Sequence, residues 1–170
     1  ANVEFALAQF NERPVVDAKT GRAIAPAVLF LDIDRFKAVN DGLGHAAGDQ
    51  LLIQLTKRFT EALGPSDVIG RFGNDEFVVL MTPSEERGAR MTPPEEMAGL
   101  LGDLCAQPLE LGGQTVYPSA TIGIVRFESR HQNGQEILAE AETAMRRARK
   151  RGSGEIETFT ERRAEKRQPQ

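Results

Sequence analysis

Two parts of this chain set acidic and other polar side chains directly beside apolar segments that would be buried. The first holds Asp32, Asp34, Asn40, Asp41, His45 and Asp49 within eighteen positions. The second is Asp75-Glu76, directly after Gly73-Asn74 in the stretch VIGRFGNDEFVVLM at 68–81. Carboxylates beside a buried strand need a counter-charge, so the chemistry open to these residues is to hold a cation. Each acid also has a plainer role available. Two acids beside a hairpin turn are commonly solvated turn residues, and an acid in the first turn of a helix, as Asp49 would be, favours the helix dipole without binding anything. His45 alone makes no metal centre, because the only other histidine is His131, far along the chain in a polar segment, so it reads as a turn or packing residue.

The elements that must position these groups follow from periodicity. Residues 27–33 (AVLFLDI) form a continuous apolar run short enough for a central strand, which puts Asp32 at a buried position. Residues 46–63 repeat Leu52, Leu55, Phe59 and Ala62 at helical spacing, with Gly48 and Asp49 in the first turn. The stretch 68–81 reads as a hairpin whose Gly73-Asn74 turn is of type II′, with the glycine supplying a positive φ. Its second half, Phe77 to Met81, is apolar without alternation and suits a strand covered on both faces.

Around that centre, residues 2–10 place Val3, Ala6, Leu7 and Phe10 on one helical face, with Asn2 as N-cap and Pro14 ending the helix. Residues 12–26 are an exposed connection and 82–94 a polar loop. Residues 95–105 form a covering helix with Met97, Leu100, Leu101 and Leu104 inward. Residues 108–111 and 115–127 read as strands around a Gly112-Gly113 hairpin. Residues 134–151 form a helix with Ile137, Leu138, Ala141, Met145 and Ala148 inward and strongly basic last turns, followed by a short strand at 155–159. The tail 160–170 is charged and has no apolar face.

With 170 residues, the chain can bury a sizeable core in one domain. At 40% hydrophobic and 27% charged residues it reads as soluble and globular, and no apolar run approaches the ~20 residues of a membrane span. The formal charge of −4 gives no general attraction to nucleic acid. The single cysteine, Cys105, excludes an internal disulfide and a multi-thiolate zinc site, lies in the apolar phase of its helix, and fits a cytoplasmic setting. The chain opens at Ala1 without an initiator methionine, and the expectation is a piece of a longer protein.

The segment DIDRFKAVNDGLGHAAGD, followed after a helix by DVIGRFGNDEF, resembles the GGDEF domain of bacterial diguanylate cyclases, with its pattern D-x-D-x-F-K-x-x-N-D-x-x-G-H-x-x-G-D and then R-[FY]-G-G-[DE]-E-F. Sixteen positions agree in type and spacing, and Asn74 is the one mismatch. The resemblance implies an α+β fold: a ferredoxin-like βαββαβ core of the nucleotide-cyclase type, with a mostly antiparallel central sheet and flanking helices over 1–159. It implies Asp32, Asp75 and the backbone carbonyl of Ile33 as ligands of Mg2+ (or Mn2+), with Asp75 and Glu76 catalytic. Asn40 and Asp49 would read guanine, and Lys37, Gly73, Asn74 and Arg149 would complete the GTP site. In the family two GTP molecules, one on each subunit of a homodimer, condense to cyclic di-GMP and pyrophosphate.

Departures from the pattern modify that expectation. Asn74 replaces the second signature glycine, whose service is close approach of backbone to nucleotide. Gly64 stands where the inhibitory R-x-x-D motif has its arginine, while Asp67 keeps the acid. Arg149 and Ser153 stand where the family holds phosphates with a lysine and an arginine. The expected function is therefore a degenerate GGDEF domain that binds GTP with Mg2+ and regulates, with little or no cyclase activity; the alternative is an active diguanylate cyclase. A charged extension after such a domain resembles the linker to a downstream EAL-type phosphodiesterase domain.

Overall fold

The computed structural model describes residues 2–85 and 90–161. Its elements in chain order are α1 (Asn2–Glu12), β1 (Ala27–Ile33), α2 (Phe36–Leu43), α3 (His45–Ala62), β2 (Val68–Arg71), β3 (Glu76–Met81), α4 (Pro94–Cys105), β4 (Leu109–Leu111), β5 (Gln114–Val116), β6 (Ala120–Arg126), α5 (Gly134–Arg151) and β7 (Ile156–Thr158). The main sheet has the order β2-β3-β1-β6-β7. Its first four strands are antiparallel, and β7 adds parallel to β6 after the α5 crossover. This is the expected βαββαβ arrangement with an extra strand, since β1 sits between the third and last strands of the core.

The unbroken apolar run of β1 is explained by cover on both faces. Leu29, Leu31 and Ile33 pack with Leu55 and Phe59 of α3 and with Leu101 and Cys105 of α4. Val28 and Phe30 pack with Ala6 and Leu7 of α1 and with Ile137, Ala141 and Met145 of α5. Cys105 is a core residue, and burial pushes its thiol up to about 12. No helix among the described residues is long and apolar enough to cross a membrane.

Several local expectations need correction. Residues 36–43, for which the periodicity reading names no element, form α2, because Phe36, Val39 and Leu43 recur at helical spacing against the core. Leu100, expected inward on α4, is 43% exposed; the buried face runs through Pro94, Met97, Ala98, Leu101 and Cys105, one residue around. The strand expected over 115–127 is two strands, β5 and β6, because β5 leaves the main sheet to pair with β4. The Gly112-Gly113 turn joining β4 to β5 does use two positive φ angles, 53° and 80°. The expected tail falls mostly on 162–170, outside the described residues.

The hairpin at the centre differs most. Neither Gly73 nor Asn74 takes a positive φ, so there is no II′ turn. The loop is longer than two residues: Arg71 pairs with Phe77, the Phe72 amide donates to the Glu76 carbonyl at 2.8 Å, and the Arg71 guanidinium donates to the Asn74 carbonyl at 2.9 Å. The arginine side chain thus closes a loop that a two-residue turn would have closed through backbone alone. A Cβ at Gly73 would lie 2.5 Å from Glu76 Oε1, the free end of a side chain that can shift, so neither φ nor backbone crowding demands glycine at this position.

Candidate functional site

The ends of β1, of the β2–β3 loop and of α5 meet at one point. Asp32 is the penultimate residue of β1 and lies opposite Glu76 on β3. Just beyond, the Ile33 amide donates to the Asp75 carbonyl at 2.9 Å, which ties the loop to the strand end and brings Asp75 beside Asp32. On the face of the sheet that Asp32 shares with Val28 and Phe30, α5 comes in at unusually close range. A Cβ at Gly123 of β6 would lie 2.2 Å from the Ala141 carbonyl oxygen and 2.3 Å from the Met145 nitrogen. That approach carries the end of α5 over the carboxylates, where Arg149 donates to Asp32 Oδ2 at 2.8 Å and to Asp34 Oδ1 at 3.0 Å.

The electrostatics follow from this crowding. Asp32 is buried and its Oδ1 has no hydrogen-bond partner. Burial raises its carboxyl, Arg149 partly offsets that, and the neighbouring Asp75 and Glu76 raise it further, to about 7. Glu76 is also held above the ordinary carboxylate range, first by burial, then by Asp75 and Glu142, against Arg146 and Arg149. A buried carboxylate oxygen without a donor, beside two more acids, is what a divalent cation with oxygen ligands would satisfy. The residues therefore fit such an ion, although no three acidic, histidine or cysteine side chains among the described residues are already drawn into a closed cage. Further ligands would have to come from a bound phosphate or water, as is usual for Mg2+.

Asp34 is not available for that duty. Its carboxylate accepts from Ser119 Oγ (2.6 Å), Thr121 Oγ1 (2.7 Å), the Gly154 amide (2.9 Å) and Arg149. It ties the start of β6 and the turn after α5 to the end of β1. Side chains two apart on a strand share a face, so Asp32-x-Asp34 does carry a legible signal of joint action, though for support rather than for a second ligand. We expect Asp34→Ala to cost on the order of 3 kcal/mol in urea unfolding, because it removes the acceptor of the buried Thr121 hydroxyl and of three further donors together, whereas Asp41→Ala on the exposed side of α2 should stay within about 0.5 kcal/mol.

Next to the acids lies a groove of about 440 Å³ lined by Phe36, Lys37, Asn40, His45, Asp49, Leu52, Arg71, Asn74 and Asp75. Gly48 admits the Asn40 side chain to it, since a Cβ at that position would lie 1.9 Å from Asn40 Oδ1. Polar groups here sit between apolar walls from Phe36 and Leu52, which suits a planar heterocycle with an edge to read. A hollow of similar volume, about 450 Å³, lies between α1 and β2 and contains none of these acids.

The structure thus brings Asp32, Asp75, Glu76 and Arg149 to one centre, and Lys37, Asn40, Asp49 and Asn74 to the adjoining groove. Asp75 belongs to both. Gly73 flanks Glu76, and Ile33 is tied to Asp75 through its amide. His45, expected to be a turn or packing residue, begins α3, is exposed and lines the groove. Arg71, which sequence reasoning left without a role, lines it too. Ser153 is exposed in the turn after α5. Gly64 offers no side chain, and its amide donates to Asp67 Oδ2 at 2.9 Å.

Residues 9–155 match the family described as diguanylate cyclase, GGDEF domain. The diguanylate cyclase TpbB of Pseudomonas aeruginosa is 36% identical over 129 residues, which cover 75% of this chain and 29% of that protein. The bifunctional diguanylate cyclase/cyclic di-GMP phosphodiesterase MucR of the same species is 38% identical over 126 residues, covering 74% of this chain and 18% of MucR. This chain spans less than a third of the length of either relative. The crystal structure of the GGDEF domain of TpbB (YfiN) has the same fold, with a TM-score of 0.78 at 32% identity over 94% of this chain and 91% of that one.

Proposed function

This chain belongs to the GGDEF domain family of diguanylate cyclases, and from that premise we propose that it binds GTP with Mg2+ or Mn2+ and turns over little or none of it, serving a regulatory role in cyclic di-GMP signalling. The observation that carries the binding half is the orphaned Oδ1 of Asp32 facing Asp75 and Glu76 beside a groove with Asn40 and Asp49. Asp32, Asp75 and the Ile33 carbonyl would hold the ion. When bound, it would neutralise phosphate charge and lower the pKa of an attacking hydroxyl. Asp49 can accept from the N1–H and amino group of guanine, and Asn40 can both donate and accept. Lys37 and Arg149 would meet the phosphates. Glu76, with its carboxyl held above the usual range, is suited to carry a proton.

The regulatory half rests on three replacements. Asn74 adds a side chain to the wall of the groove, Ser153 supplies no charge, and Gly64 has no guanidinium to bind product. Because Asn40, Asp49, Asp32, Asp75 and Glu76 are all retained, an active cyclase working as a homodimer is the second reading. MucR unites a cyclase and a phosphodiesterase in one protein, so the partner we propose for regulation is an EAL-type phosphodiesterase domain of the same cytoplasmic polypeptide.

Product chromatography after incubation with GTP and Mg2+ distinguishes the two readings, using the full-length protein so that a missing dimerisation partner does not silence it. Misplacement of reacting groups by ~1 Å can cost on the order of 100-fold in rate. Asn74→Gly is therefore expected to raise turnover about tenfold, and adding Ser153→Arg to raise it about tenfold again by supplying charge for the departing pyrophosphate. Turnover by the wild type as fast as by Asn74→Gly would establish the active cyclase instead.

A further inference from the structure

Arg149 touches Asp32 in a way that bears on when a metal ion can enter. Its guanidinium spans Asp32 Oδ2 and Asp34 Oδ1 at 2.8 and 3.0 Å. Asp34 cannot yield, because Ser119, Thr121 and the Gly154 amide hold both of its oxygens. The helix that bears Arg149 cannot yield either, since its backbone lies against Gly123 without room for a methyl group. The arginine side chain itself is 44% exposed, so its outer part is free to reorient while its root is fixed.

We propose that Arg149, positioned by Asp34, is a resident counter-cation that keeps a divalent ion off Asp32 until the phosphates of a nucleotide draw the guanidinium away. The inference rests on the GTP and metal reading given above and adds a regulation of that site. A fixed positive charge on one oxygen of Asp32 repels a second cation arriving at the other, and the repulsion is strong where water is excluded. Phosphates offer the guanidinium a bidentate partner of higher charge. Nucleotide and metal would then bind cooperatively, each improving the other by the same factor. Lysine at this position would keep the charge but lack the planar fork that spans two carboxylates.

The test uses Mn2+ as the probe, titrated alone against the folded protein by electron paramagnetic resonance, and GTP titrated by calorimetry in saturating Mn2+. For Arg149→Met, Mn2+ alone is expected to bind about five- to tenfold more tightly, because a like charge has been removed, while GTP binds roughly fivefold more weakly. Arg149→Lys should tighten Mn2+ by roughly twofold or more and hold GTP affinity within about twofold; it also serves if the methionine variant fails to fold. A merely structural arginine would weaken both ligands together. Unchanged or weaker Mn2+ binding in both variants, with GTP still bound by the wild type, overturns the proposal alone. Failure of all three proteins to bind Mn2+ or GTP overturns the reading of the site as well.

Discussion

Asp32→Ala is expected to abolish cation-dependent GTP binding, with at least about a 100-fold loss of affinity, because the substitution removes an ion ligand where even supporting residues are worth 10- to 100-fold. Asp32 is the acid least explicable as a surface residue: it is buried at the end of a central strand, with one oxygen unpartnered. Calorimetry with GTP, with and without Mg2+, checks this directly. ATP should bind the wild type more weakly, since an adenine edge leaves Asn40 and Asp49 mismatched, each unpaired group costing about 1–3 kcal/mol once a bound base covers it. Undiminished GTP binding by Asp32→Ala, or equal binding of the two nucleotides, would refute the site.

The same residue sets a pH dependence. Its folded carboxyl titrates near 7, above the ordinary 3.8, so the folded, metal-free protein takes up a proton that the unfolded chain has lost. The sign follows from linkage: the contribution of Asp32 to stability is complete below about pH 3.8, declines as pH rises, and is gone above about pH 7. A divalent ion needs the ionised form, so Mg2+ affinity should rise with pH up to about 7 and then level off. Metal titrations between pH 5.5 and 8, read against the Asp32→Ala baseline, measure that rise (~2.5 pH units spanning the transition).

What could be read in advance divides by the range of the forces involved. The strand bearing Asp32, the helix bearing Asp49 and the helix bearing Arg149 were legible because each buries an apolar face whose period is written locally. The hairpin was legible as a hairpin but not in its turn, because the Arg71 side chain replaces backbone geometry, and side-chain closure leaves no φ signature in Gly-Asn. The inward face of α4 lies one residue around from the expected one: Leu100 outranks Ala98 on hydrophobicity alone, but the helix turns Ala98 fully into the core cluster and leaves Leu100 43% exposed. Least legible was the tie between Arg149 and the pair Asp32 and Asp34. It joins residues 117 and 115 positions apart and depends on how near two backbones come at Gly123.

That close approach leads to the largest expected effect on the fold. Gly123 lies opposite Phe30 in the middle of the sheet, and α5 crosses it with backbone against backbone. An added Cβ would meet the Ala141 oxygen at 2.2 Å, the Met145 nitrogen at 2.3 Å and the Met145 Cα at 2.9 Å. None of these is the free end of a side chain, so the helix must move bodily and lose its packing on Val28, Phe30 and Val125. Overpacking usually costs about 1–3 kcal/mol where side chains can give way. Here backbone would have to, and Gly123→Ala is expected to cost about 4 kcal/mol or more in urea unfolding, a large share of the roughly 5–15 kcal/mol that stabilises a domain. Gly99 in α4 provides the control, with nothing within 4 Å of its built Cβ. Gly99→Ala should stabilise by about 0.5–1 kcal/mol through helix propensity and a less flexible unfolded chain. If Gly123→Ala cost no more than about 1 kcal/mol, the two backbones would not be in the contact that sets Arg149 over Asp32.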